Sequence, residues 1–280
     1  MAGVRIVTDS ACDLRDAVTS ELGIAVVPLS IRFGSEEYTD RVDLTVEQFY
    51  EKMAATDALP ETAAPAPGAF AEAFTAEADD GADAIICINI SSELSATMQS
   101  ATSAANDLGD RLPIIVFDSQ SITMGLGTQV LEAAKAAADG ATTDAIIEML
   151  TDLRERTRVF GALDSLDNLK KGGRIGGAQA MIGTMLSIKP TVDISTGKVE
   201  EAAKHRTRRK SLTALRDRVA ADGAVEHLAV LHANAGDIDE FLDLMSERYD
   251  RDSIHVDLIG PVIGTHAGAG TMGACWVVPA

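Results

Sequence analysis

The segment AIICINISSELSATMQSATSAANDLGDRLPIIVF, residues 84–117, decides the fold class. It opens with an almost wholly apolar run at 84–90 and closes with a second one, PIIVF, at 113–117. Residues 94–109, between the two runs, have the length and composition of a helix. Short apolar strands separated by helices of about 10–15 residues are typical of βαβ units. The segment therefore predicts a parallel sheet covered by helices.

The same alternation extends toward the N-terminus and then ends. Extended runs are predicted at 4–8 and 24–33, and further helices near 13–21, 45–55, 121–138 and 142–157. Beyond Thr157 the pattern reads as hairpins mixed with helices, including two strands joined by a turn at 195–197. We therefore predict an α/β protein of two domains. Residues 1–157 would form an N-terminal parallel-sheet α/β domain, and residues 158–280 a C-terminal α+β domain with a largely antiparallel sheet.

Composition describes a globular protein of 280 residues, 46% hydrophobic but only 4% aromatic. That length is sufficient for a substantial core. We expect neither a signal peptide nor a membrane span, because no long apolar stretch is present. The three cysteines are far apart in the sequence, which favours buried thiols in a reducing compartment. A cytoplasmic protein is the expectation.

Charge is unevenly distributed along the chain. The net charge of -19 argues against general nucleic-acid binding. Residues 154–210 nevertheless hold 13 Lys and Arg against six Asp and Glu, an excess of +7 that leaves -26 for the remainder. A basic segment in an acidic molecule predicts one place that receives an anionic ligand or partner.

The glycines at 268, 270 and 273 fit the spacing G-x-G-x-x-G. A dinucleotide-binding turn requires a helix after these glycines, within a unit of about 30 residues. Only residues 274–280 follow, and they read as a strand, so we do not expect a dinucleotide-binding turn here. His266 is expected in the same glycine-rich loop. Its small neighbours favour a ring presented into a cleft, and a capping or core histidine is the alternative.

Several hydroxyl groups are placed where helices are predicted to begin. Thr62 precedes a proline-initiated helix, and Ser92 and Ser95 lie where a strand gives way to a helix. Helix capping explains such residues, but hydroxyl and free N–H groups at a helix start also bind carboxylates. Arg174, between glycines, suits recognition of phosphate or carboxylate.

Catalytic and metal motifs are scarce in the sequence. It contains no G-x-S-x-G and no His or Cys pair at ligand spacing. No metal, cofactor or catalytic residue is therefore predicted. A pairing of distant segments leaves one alternative open, a hydrolase or phosphotransferase that uses Ser95 and His266 on a small substrate.

An ordered set of motifs resembles the DegV family of fatty-acid-binding proteins, which serve as FakB-type subunits of a bacterial fatty acid kinase. The set includes VTDSACDL, ISSELSATMQSA, VFDSQSITMGLG, LDNLKKGGRIGG and IGPVIGTHAGAGTMG. The resemblance runs from Arg5 to Gly273 in the family's order. It implies a long-chain fatty acid held in a tunnel between the two domains.

Residue by residue, the resemblance implies two groups of functional side chains. The fatty-acid carboxylate would be held by Thr62, Ser95 and His266, with Ser92 and Gly268 as candidates for the surrounding shell. Arg174 and Arg206 would serve the docking of a separate ATP-dependent kinase subunit or the acyl phosphate. The chain itself would be a carrier for phospholipid synthesis, without stable membrane insertion.

The sequence departs from the family's motifs beside these ligands. Where the family has T-S-Q-P-S, this chain reads Thr62-Ala63-Ala64-Pro65-Ala66, and Met98 replaces an aromatic residue in L-S-G-T-Y-Q. The three carboxylate ligands remain in place. The departures therefore bear on acyl-chain preference and on the support around the site.

Overall fold

In the computed structural model, residues 3–56, 58–181 and 188–280 are described. Within these ranges the strands build three β-sheets. The strands are β1 Val4–Asp9, β2 Ala25–Val27, β3 Ser30–Phe33, β4 Glu36–Thr39, β5 Glu61–Ala63, β6 Ala84–Asn89, β7 Ile114–Asp118, β8 Thr157–Ala162, β9 Lys189–Asp193, β10 Glu200–His205, β11 Glu226–His232, β12 His255–Leu258 and β13 Met272–Val277.

Helices connect most of these strands. They are α1 Asp16–Glu21, α2 Val46–Ala54, α3 Pro67–Asp79, α4 Thr97–Leu108, α5 Thr123–Ala138, α6 Thr143–Arg156, α7 Asp167–Lys171, α8 Arg208–Ala221, α9 Ile238–Ser246 and α10 Pro261–Ala267. Short 3-10 turns are formed by Ser10–Cys12, Gly109–Arg111, Gly176–Met181 and Arg251–Ser253.

The first sheet is parallel, with strand order β2-β1-β6-β7. Its central strand β6 is buried along its whole length, because helices cover both faces. Ile85 and Cys87 pack with Phe70 and Phe74 of α3. The alternate residues of β6 belong to the main core on the opposite face. The parallel sheet predicted from residues 84–117 is confirmed.

The extended run expected at 24–33 is divided between two sheets. β2 joins the parallel sheet, and β3 forms a small antiparallel sheet of order β4-β3-β5. Pro28 lies between them and lacks the N–H group that a continuous central strand needs. In the small sheet Thr62 of β5 pairs with Ile31 of β3, which fixes the position of the Thr62 backbone.

The third sheet has the order β10-β9-β8-β13-β11-β12. All its neighbours are antiparallel except β11 and β12. This arrangement confirms the largely antiparallel sheet expected after residue 157. The boundary at Thr157 coincides with the start of β8 and stays a prediction, since the main core contains residues from both sides of it, such as Ile88 and Val192.

Strand β13 shows how the six-stranded sheet divides its two faces. Met272, Ala274 and Trp276 point into a core shared with α8 and α9. Gly273 and Cys275, the alternate residues, face the other way and line a cavity. One face of this sheet therefore stabilises the second half of the chain, and the other face forms a wall of the candidate site.

Candidate functional site

A deep cavity lies where the loops of the first half meet the inner face of the six-stranded sheet. Counted out to its opening, and including the solvent space there, it measures about 1030 Å³. Most of its wall is aliphatic. The sheet contributes Val159, Val192 and Leu231, while the first half contributes Leu29, Ile90 and Ile122.

Four polar side chains proposed from the sequence line this same cavity: Thr62, Ser95, Arg174 and His266. They come from four separate segments, namely β5, the turn before α4, the loop after α7, and α10. The fold thus brings together residues separated by up to 204 positions. An apolar cavity with one polar cluster suits a ligand that has a long apolar part and a polar head.

His266 lies in the last turn of helix α10 and not in a loop, so the expected loop is wrong. The helix begins at Pro261, whose fixed φ suits the first helical position. It ends at Ala267 and is capped by Gly268, whose φ of 84° favours glycine. The helix carries the imidazole to Thr62, where Nε2 lies 2.8 Å from Oγ1.

The imidazole is neutral at physiological pH. Burial, together with the positive charge of Arg174, lowers the pKa of His266 to about 4. The His266 ring and the Thr62 hydroxyl are thus neutral hydrogen-bonding groups, and Arg174 carries the positive charge of the cluster. Each oxygen of a buried carboxylate requires donors of this kind.

The two candidate serines occupy different environments. Ser95 lines the cavity, and its Oγ lies 2.8 Å from Oγ1 of Thr97 and accepts the Thr97 N–H at 3.3 Å. It therefore also stabilises the start of α4. Ser92 is exposed, donates to the carboxylate of Asp118 and is not part of the cavity wall. Of the two, Ser95 is the one that faces the cavity.

The two candidate arginines also differ. Arg174 donates from Nε to the Leu94 carbonyl at 3.1 Å and from Nη1 to the Gly172 carbonyl at 2.8 Å, so its guanidinium is held at the cavity wall. Arg206 is exposed, lies outside that wall and has no ion pair among the described residues. Gly268 is outside the wall as well and packs against Asn168.

Sequence reasoning missed two residues around His266. Asn168 donates from Nδ2 to the Thr265 carbonyl at 3.1 Å and so joins α7 to α10. Gly172 lies directly against the imidazole, and a Cβ placed there would be 2.3 Å from Nδ1. The glycine pair in KKGGR was the available signal, but it gave no indication of which segment would approach it.

A family model described as "Uncharacterised protein, DegV family" matches residues 3–278. The chain belongs to the DegV family. A DegV domain-containing protein of Halalkalibacterium halodurans is 34% identical over 282 residues, 99% of each chain. The DegV protein of Bacillus subtilis is 32% identical over 278 residues, 98% of each.

Solved DegV structures share the whole fold. A DegV-family protein from Thermus thermophilus, described as binding fatty acid, superposes with a TM-score of 0.89 at 31% identity, covering 99% of this chain and 100% of that one. DegV from Bacillus subtilis, described as a fatty acid binding protein, gives 0.89 at 29% identity with both chains fully covered. A stearic acid-binding protein from Eubacterium ventriosum gives 0.85 at 26% identity, covering 99% and 98%.

Among the residues that the structure describes, no helix is both long and apolar enough to span a membrane.

Proposed function

We propose that this DegV-family chain binds a long-chain fatty acid in the cavity, with the carboxylate at Thr62, Ser95 and His266. The observation that carries the proposal is the pairing of a deep aliphatic wall with one cluster of neutral hydrogen-bonding groups beside Arg174. The fatty-acid binding described for the Thermus thermophilus and Bacillus subtilis proteins supports it.

The chemistry of the wall favours this ligand class over a small polar substrate. Burial of apolar surface contributes about 25 cal/mol per Å², so a long acyl chain gains most of its affinity from the aliphatic lining. The head group then needs only enough donors to offset the loss of water. The hydroxyls of Thr62 and Ser95 can supply them, with the neutral His266 ring hydrogen-bonded to Thr62, so no second charge is buried.

We propose further that the chain is a cytoplasmic carrier that presents the carboxylate to a separate ATP-dependent kinase subunit. Basic side chains of the segment 154–210 support this role. Arg174 reaches the cavity, and five exposed cations have no ion pair among the described residues: Lys170, Lys171, Arg206, Arg209 and Lys210. Such cations suit an acidic partner or a phosphorylated product.

Arg208, although part of the same basic segment, is not available for docking. Its guanidinium forms an ion pair with Asp237 at 2.8 Å and donates to the Gly270 and Ala162 carbonyls. Arg208 thus holds the segment after α10, and its place in the proposal is structural.

The first experiment tests lipid binding directly. The purified chain is extracted under denaturing conditions, the extract is examined for acyl chains by mass spectrometry, and the refolded or delipidated chain is offered oleate and palmitate. We expect a bound or readily acquired fatty acid. An empty protein that takes up neither lipid would refute the proposal.

The second experiment tests the carrier role. The loaded chain is incubated with ATP alone and with ATP plus a fatty acid kinase subunit, and acyl phosphate is trapped with hydroxylamine. We expect product only when the kinase is present. Product from the isolated chain would instead support an enzyme.

The alternative of a hydrolase or phosphotransferase using Ser95 and His266 receives no support from the geometry. Ser95 contacts Thr97 and His266 contacts Thr62, with no hydrogen bond between the pair among the described residues. A histidine with a pKa near 4 is also a weak base for activating a hydroxyl.

A further inference from the structure

The two nitrogens of the His266 ring have unequal surroundings. Nε2 lies 2.8 Å from Oγ1 of Thr62. Nδ1 is buried and has no hydrogen-bond partner among the described residues. A neutral imidazole carries a proton on one nitrogen and a lone pair on the other. The surroundings of Nδ1 therefore bear on which way the Thr62–His266 hydrogen bond runs.

Gly172 is the residue that lies against Nδ1. A Cβ at this position would lie 2.3 Å from Nδ1 and 2.9 Å from Cε1, so only glycine admits the ring as placed. Both backbone polar groups of Gly172 are already engaged. Its N–H donates to the Asn168 carbonyl at 2.8 Å, and its carbonyl accepts from Nη1 of Arg174 at 2.8 Å.

The missing partner at Nδ1 decides where the proton lies. A buried N–H without an acceptor is one of the rarer and more costly defects in proteins. A proton on Nδ1 would have no acceptor among the described residues, whereas a proton on Nε2 has Oγ1 of Thr62 at 2.8 Å. This difference places the proton on Nε2.

We propose that Gly172 is a positioning residue that holds His266 in the Nε2–H tautomer. In that tautomer Nε2 donates to Oγ1 of Thr62, and the Thr62 hydroxyl proton is free to point into the cavity. A carboxylate there would accept from Thr62, with His266 acting through it. This inference rests on the proposed fatty-acid function for the identity of the anion, but not for the tautomer.

The opposite tautomer would make the site unfavourable for an anion. With the proton on Nδ1, Nε2 would accept the hydroxyl proton of Thr62, and only the lone pairs of Oγ1 would face the cavity. Those lone pairs repel a carboxylate. The direction of one hydrogen bond thus decides whether Thr62 attracts or repels the head group.

The tautomer is measured first, in the chain without lipid. Long-range ¹H–¹⁵N spectra of ¹⁵N-histidine-labelled protein distinguish a protonated from an unprotonated ring nitrogen, and His266→Gln assigns the signal among five histidines. We expect a protonated Nε2 and an unprotonated Nδ1, with this signature lost in Gly172→Ala. A protonated Nδ1 in the unaltered chain would overturn the proposal.

Two amide replacements then test the role of each nitrogen in binding. The side-chain nitrogen of Gln can occupy the place of Nε2, and that of Asn the place of Nδ1. We expect His266→Gln to bind oleate within about tenfold of the unaltered chain and His266→Asn to lose at least about tenfold more, the size of one hydrogen bond to a charged group. The reverse ranking would contradict the proposal.

Gly172→Ala has a matched control in Gly177→Ala. At Gly177 the nearest atom to an added Cβ is 3.6 Å away, an ordinary contact, and the residue is not part of the cavity wall. We expect weaker oleate binding only for Gly172→Ala, and equal binding by both variants would count against the proposal. If Gly172→Ala fails to fold, the proposal is still tested by the NMR measurement of the tautomer and by the relative oleate affinities of His266→Gln and His266→Asn. An Nε2–H ring in a chain that binds no fatty acid would refute the proposed function and leave the positioning role intact.

Discussion

Replacement of Asp40 by asparagine tests the electrostatics of the first half of the chain. Asp40 is 1% exposed, so its carboxyl group is almost wholly removed from water. Burial raises its pKa from 3.8 to about 6, and the nearby Ser10 hydroxyl and Arg41 guanidinium offset this effect only in part. The ionised form is therefore disfavoured in the folded protein.

The sign and size of the effect follow from linkage. A carboxyl whose pKa is raised by folding costs nothing at low pH, and folding stability falls as the pH rises from about 4 through 6. Each pKa unit corresponds to about 1.4 kcal/mol, so ionised Asp40 lowers the stability at pH 8 by about 3 kcal/mol. Asparagine resembles the neutral carboxyl. Asp40→Asn is expected to raise the unfolding free energy by about 3 kcal/mol at pH 8 and by less than about 1 kcal/mol at pH 4.

Urea unfolding measured through Trp276 provides the assay. Trp276 is the only tryptophan, is 1% exposed and stacks on Phe160 with ring centres 5.5 Å apart. Its emission therefore reports the core that the six-stranded sheet shares with α8 and α9. Asp43→Asn is the control, because the exposed Asp43 has its pKa lowered by hydrogen bonds from Thr39. Asp43→Asn should lower the unfolding free energy at pH 8, because it removes an ionised group that these hydrogen bonds stabilise. An equal effect of Asp40→Asn at both pH values would refute the reasoning.

Three further predictions concern the site and its support. His266→Ala should weaken fatty-acid binding by about 10- to 100-fold, whereas Arg174→Ala should keep binding within a few-fold and impair phosphorylation by the kinase. Calorimetry measures the binding and hydroxamate trapping measures the phosphorylation. An equal loss of binding in both variants would contradict this division of roles. Because folding lowers the pKa of His266 from 6.5 to about 4, its contribution to stability should be complete above pH 6.5 and decline toward pH 4, and an NMR titration with a midpoint near 6.5 would disprove this. Ala66 begins α3 without a side-chain cap, so Ala66→Ser should raise the unfolding free energy by about 1 kcal/mol, and an unchanged urea midpoint would count against that cap.

Local patterns predicted the elements whose side chains repeat regularly. The strands β1, β6 and β7, the hairpin of β9 and β10, and the helices α5 and α6 lie where the sequence pattern predicted them. These elements are long enough for burial on one or both faces to produce a recognisable pattern of apolar residues in the sequence. The parallel sheet in the first half and the largely antiparallel sheet in the second follow from them.

The elements that build the polar cluster are shorter and owe their structure to partners. β5 has three residues, too few for a pattern, and it forms because β3 pairs with it. α10 contains Gly264, where an added Cβ would lie 2.6 Å from the Tyr50 hydroxyl. Close packing against α2 therefore required a glycine that local propensity penalises. The resemblance to a known family predicted that Thr62 and His266 share one site, which no local sequence pattern indicated.

The cavity also affects the stability and turnover of the protein, because it is a gap in the main hydrophobic core. Leu29, Val159, Val192 and Leu231 belong both to its wall and to that core. A fatty acid bound there would complete the core, so a molecule that is cargo would also be a structural component. At a free concentration 100 times its dissociation constant, such a ligand adds about 2.7 kcal/mol to the unfolding free energy. The unloaded chain would be the form that opens and is degraded sooner, and the amount of protein would follow the supply of its lipid.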